Sequence, residues 1–315
     1  MNHSSKIFMI YCFLTAILYR VSSQRFVATT NEETIIKKCL FSSLVSAEKG
    51  GAVSSYEMIN NLSVYWCLFE KCRGYEEGGA LYFYHSSGNF CGYQNCGYDC
   101  YCNDAGGGVN SGQFVYISAG TDLYFLSSSF SYCSPSLGTV KHHAISLNKG
   151  NHSVSELNSS RNYPTYFSGY LSREASEGLV SWCHFEHCIS KVYTVISIMH
   201  SPITMRYSNV INCTQLENTY GLIRNYGKAF KLTDSIIDVQ LPSTYYLFYQ
   251  ISPGTFQITS CFIMRTCKYY SITGTAQVSL TNLYPVKSFC ELSIMTYHNT
   301  RVKRVQFLLF TLIYQ

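Results

Sequence analysis

Charge is what this chain most lacks. Lys and Arg total 23 and Asp and Glu 18, so charged residues make up 13% of 315, about half the ~25% of an ordinary soluble domain. Combined with 47% hydrophobic residues, that composition excludes a disordered chain, which needs high charge and low hydrophobicity. A formal net charge of +5 over this length is no footprint for nucleic acid. Six prolines exclude a Pro-rich stalk. No apolar run reaches the ~20 residues of a membrane helix.

Catalytic motifs are equally sparse. Sugar cleavage needs carboxylates converging within ~5–10 Å, or several oxygens caging calcium. Aspartate occurs only at Asp99, Asp104, Asp122, Asp234 and Asp238, with no Asp-Asp pair, Asn-Thr-Asp or Gly-His-Gly. Gly-x-Ser-x-Gly is absent, as are the known Cys/His signatures. The sequence assigns no catalytic residue, no cofactor and no metal ligand. Cys91, Cys96, Cys100 and Cys102 crowd four thiols together but lack paired C-x2-C knuckles, so a disulfide-stapled loop is expected over zinc.

What is present begins with a leader-like terminus. Lys6 precedes the apolar run Ile7–Tyr19, and Ser22 and Ser23 precede Gln24, the three parts of a secretory signal at 1–23. Cleavage there leaves 14 cysteines and a net charge of +3 (21 minus 18). An even cysteine number suits an exported chain, and so do the sequons at Asn61, Asn151, Asn158 and Asn212. At the other end Arg301, Lys303 and Arg304 lead into about ten apolar residues, half a bilayer span. The tail 301–315 is a cap of the fold or a truncated span, and membrane attachment stays open.

Between these ends the chain repeats. CLFEKC (67–72) and CHFEHC (183–188) share Cys-x-Phe-Glu-x-Cys. Weaker copies centre on Phe41, Tyr93, Phe130, Leu157, Val210, Ile237, Phe262 and Leu283. From Phe41 to Phe262 the steps run 28, 24, 37, 27, 28, 25, 27 and 25 residues. The step of 37 contains a Cys/Gly-rich insertion near 97–112. A second landmark keeps the same phase: Gly50-Gly51-Ala52-Val53, Gly78-Gly79-Ala80-Leu81 and Gly221-Leu222-Ile223.

Between landmarks lie tracts such as VYTVISIM (192–199) and YYLFYQI (245–251), which have strand length and strand composition. Units of 24–28 residues with three short strands fit one coil of a right-handed parallel β-helix, stacking at ~4.8 Å per coil. A lone coil cannot bury its apolar face, so many must stack. About ten coils over 24–300 are expected, as one domain.

These landmarks resemble the repeat of the chlamydial polymorphic membrane proteins, also met in protist surface-protein families. There Phe-x-x-Asn alternates with Gly-Gly-Ala-(Ile/Leu/Val). Phe69-x-x-Cys72 and Phe185-x-x-Cys188 are similar to the first element with Cys in the Asn place, and Gly78–Leu81 and Gly50–Val53 match the second. The resemblance implies a secreted or cell-surface β-helix used for attachment or display. No autotransporter barrel is recognisable in the sequence after the repeat, so bacterial outer-membrane export is not expected.

On this register Phe41, Phe69, Tyr93, Phe130, Phe185, Val210, Gly51 and Gly79 mark the repeat. Cys39, Cys67 and Cys91 share one phase; Cys72 with Cys96, and Cys188 with Cys213, share another. Coil spacing falls within the ~4.4–6.8 Å Cα separation that disulfides accept, so vertical disulfides and a reduced, buried cysteine ladder are both open. Glu70 and Glu186 share a register four coils apart, ~19 Å at this spacing, too far to cooperate. Tyr (28) and Ser (41) should dominate the outward positions, a composition that suits recognition, although the high strand propensity of Tyr accounts for its abundance equally well. The expected function is a non-enzymatic adhesion or display scaffold for an extracellular protein or glycan ligand. A polysaccharide lyase or glycoside hydrolase on the same fold is the second reading.

Overall fold

The computed structural model describes residues 20–28, 33–102, 112–133, 143–163, 167–217, 220–251, 254–264, 268–273, 277–281 and 284–286. Most of the expected leader and the whole C-terminal tail lie outside them. All regular elements among the described residues are strands. They form one eleven-stranded and two ten-stranded sheets, with two short two-stranded ones. Every strand pair is parallel, and each strand pairs with its counterpart one coil away, as in Leu40–Ser42 on Leu68–Glu70. The chain is therefore an all-β parallel β-solenoid, as the repeat leads one to expect. Arg20–Ser22 pairs with Cys39–Phe41 as the outermost rung of its sheet.

One coil runs through the three sheets in order: Cys39–Ser42 in the first, Val53–Tyr56 in the second, Asn61–Tyr65 in the third. The next coil restarts at Leu68–Glu70. Within each strand alternate residues point inward, and a short strand cannot bend around a corner in the β region. The chain turns with a single residue at positive φ. Between the third and first sheets these are Lys38, Trp66, Gln94, Ser127, Glu156, Trp182, Tyr207, Asp234 and Ser260, all with φ of 48–59°. The N–H of each corner residue bonds the carbonyl one coil on, as Lys38 does to Tyr65 (3.0 Å) and Trp66 to Tyr93 (3.0 Å).

The residue after each corner turns inward, and this is where most of the described cysteines sit. Cys39, Cys67, Cys183 and Cys261 follow the first set of corners. Cys72, Cys100, Cys133, Cys188 and Cys213 follow a second set at Lys71, Asp99, Tyr132, His187 and Asn212. The thiol donates back to the carbonyl two residues earlier, Cys67 to Tyr65 at 3.4 Å and Cys183 to Ser181 at 3.4 Å. Ser128, Ser208 and Ser235 make the same bond at 2.7–3.0 Å. Each Ser hydroxyl also accepts the N–H of the previous coil, Cys183 N–H to Ser208 at 3.2 Å and Ser208 N–H to Ser235 at 3.1 Å. The position asks for a small buried side chain with a weak donor, which Cys, Ser and Asn all supply.

The register corrects several expected anchors. Phe41, Phe69, Gly97, Phe130, Ser159, Phe185, Val210, Ile237 and Ile263 form the inward column of the first sheet. Tyr93 is not among them; it ends a strand of the third sheet and pairs with Tyr65 and Leu126. The steps of 24 and 37 thus become 28 and 33, and the insertion is shorter than the sequence suggests. Leu157 occupies the post-corner position after Glu156, and Ile263 rather than Phe262 faces inward.

Gly97 stands where a phenylalanine would be, because Phe114 reaches in from the second sheet. A Cβ on Gly97 would lie 2.4 Å from the Phe114 Cζ. The same exchange explains the partners of the phenylalanine anchors. Small, fully buried Ala52 and Ala80 stand in the second-sheet register that Phe114 occupies, Ala80 N–H bonding the Phe114 carbonyl at 3.0 Å. Further along, Val210 and Ile237 replace the rings, and Leu222 and Leu247 replace the alanines; all four are buried. Interior volume is traded between facing sheets at close-packed density. The glycine pair has a backbone cause. Gly78 has φ of 63°, and a Cβ on Gly79 would lie 2.2 Å from the Tyr101 carbonyl carbon one coil away.

Candidate functional site: aromatic corners and columns

The edge between the third and first sheets carries both tryptophans of the chain. Trp66 (φ 53°) and Trp182 (φ 59°) are corner residues. Positive φ is an outlier for so bulky a residue. Neither ring fills the core: Trp66 is exposed and Trp182 half-exposed. Trp182 stacks on Tyr207, the next corner, with centroids 4.6 Å apart and planes at 21°. Trp66 packs edge-on against Tyr93 at 6.2 Å, and its indole N–H donates to Gln94. A cation lies over each platform: Lys38 Nζ is 5.9 Å from the Trp66 ring, and the Arg206 guanidinium 5.6 Å from Tyr207. Corners Gln94, Ser127 and Glu156 separate the two, so they are four rungs apart, ~19 Å at the spacing of stacked strands.

The outward face of the second sheet carries further columns. Near its start Tyr56 stacks on Tyr84 (5.1 Å) and Tyr82 on Tyr116 (5.3 Å), both pairs with planes at 14°. Lys149 and Lys49 lie 5.8 and 5.3 Å from the rings of Tyr84 and Tyr82. Burial pushes the Tyr82 and Tyr116 hydroxyls far above the ordinary phenol range, so these phenols stay neutral donors. Further along, Tyr193 stacks on Tyr220 (4.7 Å, 27°), Tyr220 meets Tyr249 edge-on (5.4 Å), and Arg224 stands among them.

The acid and imidazole groups gather at one place. Glu186 is flanked by two imidazoles, that of His184 on its own strand with Nε2 at 3.8 Å and that of the corner residue His187 with Nδ1 at 3.4 Å. The hydrogen bond from His184, then the two imidazole charges, hold its carboxyl below the usual range. Glu70 keeps the same column but four rungs away, as expected. Among the described residues no group of three or more His, Cys, Asp or Glu is placed to hold a metal.

The cysteine phases are partly redrawn. Cys39 and Cys67 share a column; Cys91 does not, lying on the third sheet opposite Ser63 and Tyr124. Cys96 leaves the Cys72 column and pairs with Leu68 and Ser129. Its place goes to Cys100, whose Sγ accepts the Cys72 N–H at 3.3 Å, followed by Cys133. The spacing inside CGYQNC imitated that of CLFEKC, and this misled the register. Cys188 and Cys213 do stack one coil apart. The described cysteines are free thiols.

Of the sequons, Asn151 and Asn212 are exposed, the latter on a corner. Asn61 accepts from Asn89 at 2.8 Å, and the Asn158 side-chain carbonyl is sealed from solvent. The tryptophans escaped the sequence reading although a signal was present. Both intact copies read Trp-Cys-x-Phe-Glu-x-Cys, at Trp66 and Trp182. No family model, curated protein or solved structure matches the chain.

Proposed function

We propose that this protein is a non-enzymatic β-solenoid scaffold, secreted or held at a cell surface, that adheres to or displays itself to a glycan or protein ligand. Its finer likeness to the polymorphic membrane protein repeat belongs to the same proposal. The placement of both tryptophans carries the reading. A corner position favours Asn, Gly or Asp, and a ring there adds nothing to the core. Two indoles at costly backbone positions, Trp182 stacked on Tyr207 and Trp66 edge-on to Tyr93 one coil along, make two rigid aromatic platforms on one edge, each with a cation beside it. Rigid aromatic rings supply contact area at low entropic cost, and the solenoid fixes their spacing.

The test is the full chain on a glycan array and on intact cells, beside a cleavage screen against the same polysaccharides. Binding without cleavage is expected. Cleavage without retained binding would favour the carbohydrate-active enzyme reading instead.

A further inference from the structure

Arg224 has an environment unlike that of the paired arginines. Arg25, Arg73 and Arg173 each meet a carboxylate, Glu48 at 2.7 Å, Asp99 at 3.1 Å and Glu174 at 2.8 Å. Arg224 meets none among the described residues. It projects outward from the strand Ile223–Tyr226, in the register of Ser197 and Tyr249. Its guanidinium carbon lies 4.8 Å from the centre of the Tyr220 ring and 6.0 Å from that of Tyr193. The side chain is half-buried, and its Nε is sealed from solvent without a hydrogen-bond partner.

Tyr193 and Tyr220 stack because the register Ile196 to Ile223 places them on successive coils. Tyr249 stands across Gly221, whose Cβ would approach the Tyr249 Cβ to 3.1 Å. The absence of a side chain at 221 is what lets the third ring close the group.

A guanidinium held among aromatic rings is attracted by their faces, but among the described residues its N–H fork has no anionic partner. Burial costs the charged form, and its pKa is lowered for that reason despite the surrounding phenols. A half-desolvated cation of this kind gains most from a ligand that brings a carboxylate into the fork. Beside the fork, the phenol rings offer flat faces and hydroxyls, which match the C–H face and hydroxyls of a pyranose.

We propose that Tyr193, Tyr220, Tyr249 and Arg224 form a binding site for a carboxylated sugar, with Arg224 pairing the carboxylate and the tyrosines packing on the ring. The inference rests on the scaffold being a sugar binder, yet it concerns a separate place from the tryptophan edge.

The experiment uses the full chain and immobilised polygalacturonate, its methyl ester and dextran sulfate. The ester keeps every sugar face and removes only the charge. At least tenfold weaker binding to the ester is expected, with dextran sulfate also weaker than polygalacturonate because its sulfates lack the planar carboxylate match. Arg224→Gln should abolish the preference, while Arg224→Lys keeps a reduced one. Equal binding of acid and ester, or an unchanged preference in Arg224→Gln with an unchanged melting temperature, would overturn the proposal. If Arg224→Gln does not fold, the acid–ester comparison on the native chain still decides. Binding of dextran sulfate equal to that of polygalacturonate would also overturn it, showing a general anion patch. Failure of the scaffold reading looks different: neither glycans nor intact cells bound at all.

Discussion

The two halves of the solenoid solve one packing problem with different side chains. In the first half the inward column of the first sheet is aromatic, and the facing position on the second sheet is small. Phe41 and Phe69 stack with centroids 5.2 Å apart and planes at 8°, opposite Ala52 and Ala80. In the second half, Val210 and Ile237 face Leu222 and Leu247. The larger side chain of a rung changes owner along the stack, and at one rung it switches outright, from the first sheet at Gly97 to Phe114 on the second. A β-solenoid therefore does not require a fixed residue at a fixed phase. It requires a filled rung.

The sharpest way to break this comparison is at the switch. Gly97→Phe puts a second ring where Phe114 already lies and should destabilise by ~3 kcal/mol or more, at the upper end for overpacking. Adding Phe114→Ala recreates the Phe/Ala rung of the neighbouring coil and should restore most of that loss. Urea unfolding of both single variants and the double measures the coupling. Additive single effects would mean that the sheets do not trade volume. Phe69→Ala, without compensation, should cost about 3–5 kcal/mol, against about 0.5–1.5 for Ile237→Val in the aliphatic half.

A polar rung within the stack gives it a pH response. His152 points inward in the column of Leu123 and Phe90. Its Nε2 lies 2.7 Å from the Lys149 carbonyl, and its Nδ1 2.9 Å from the Ser172 hydroxyl. Burial pushes its pKa down to about 4, against ~6.5 when unfolded. Below ~6.5 the unfolded chain binds the extra proton, so stability is lost as pH falls from there to about 4. The full loss is on the order of 3 kcal/mol. Thermal melts across that range should show the slope, and His152→Leu should flatten it.

Smaller effects belong to the corners. Cys183→Ser should change stability by less than ~1 kcal/mol, because the hydroxyl makes the bond that Ser208 makes one coil on. Cys183→Val should cost more, since it removes the donor to Ser181. Burial pushes the Cys67 and Cys133 thiols up to about 12. Alkylation at pH 8 should therefore label half-exposed Cys39, Cys91 and Cys96 before the buried cysteines among the described residues, which should follow only on unfolding.

The aromatic half is also the legible half. Phe41, Phe69 and the Gly-Gly-Ala elements announce a coil because each carries a residue that only one environment explains. Gly97 carries no such mark, since its role is to leave room for a ring supplied from elsewhere. Without the facing sheet, a nearby Tyr93 in a Cys-x-Tyr-x-x-Cys frame looks like the better anchor. The surface was less legible still. Trp66 and Trp182 adjoin the landmarks in sequence, but their meaning lies in a positive φ and an aromatic neighbour one coil away. Arg224 is visible only through the company it keeps.

The central claim is that the tryptophan edge, not the coil as such, does the binding. The direct measurement compares Trp66→Ala/Trp182→Ala with the native chain on the same glycan array and cells, with melting temperatures alongside. Both rings are outside the core, so stability should hold within about 0.5 kcal/mol, while binding should fall at least tenfold, as for aromatic anchors of an interface. Unchanged binding by a folded double variant would contradict the account.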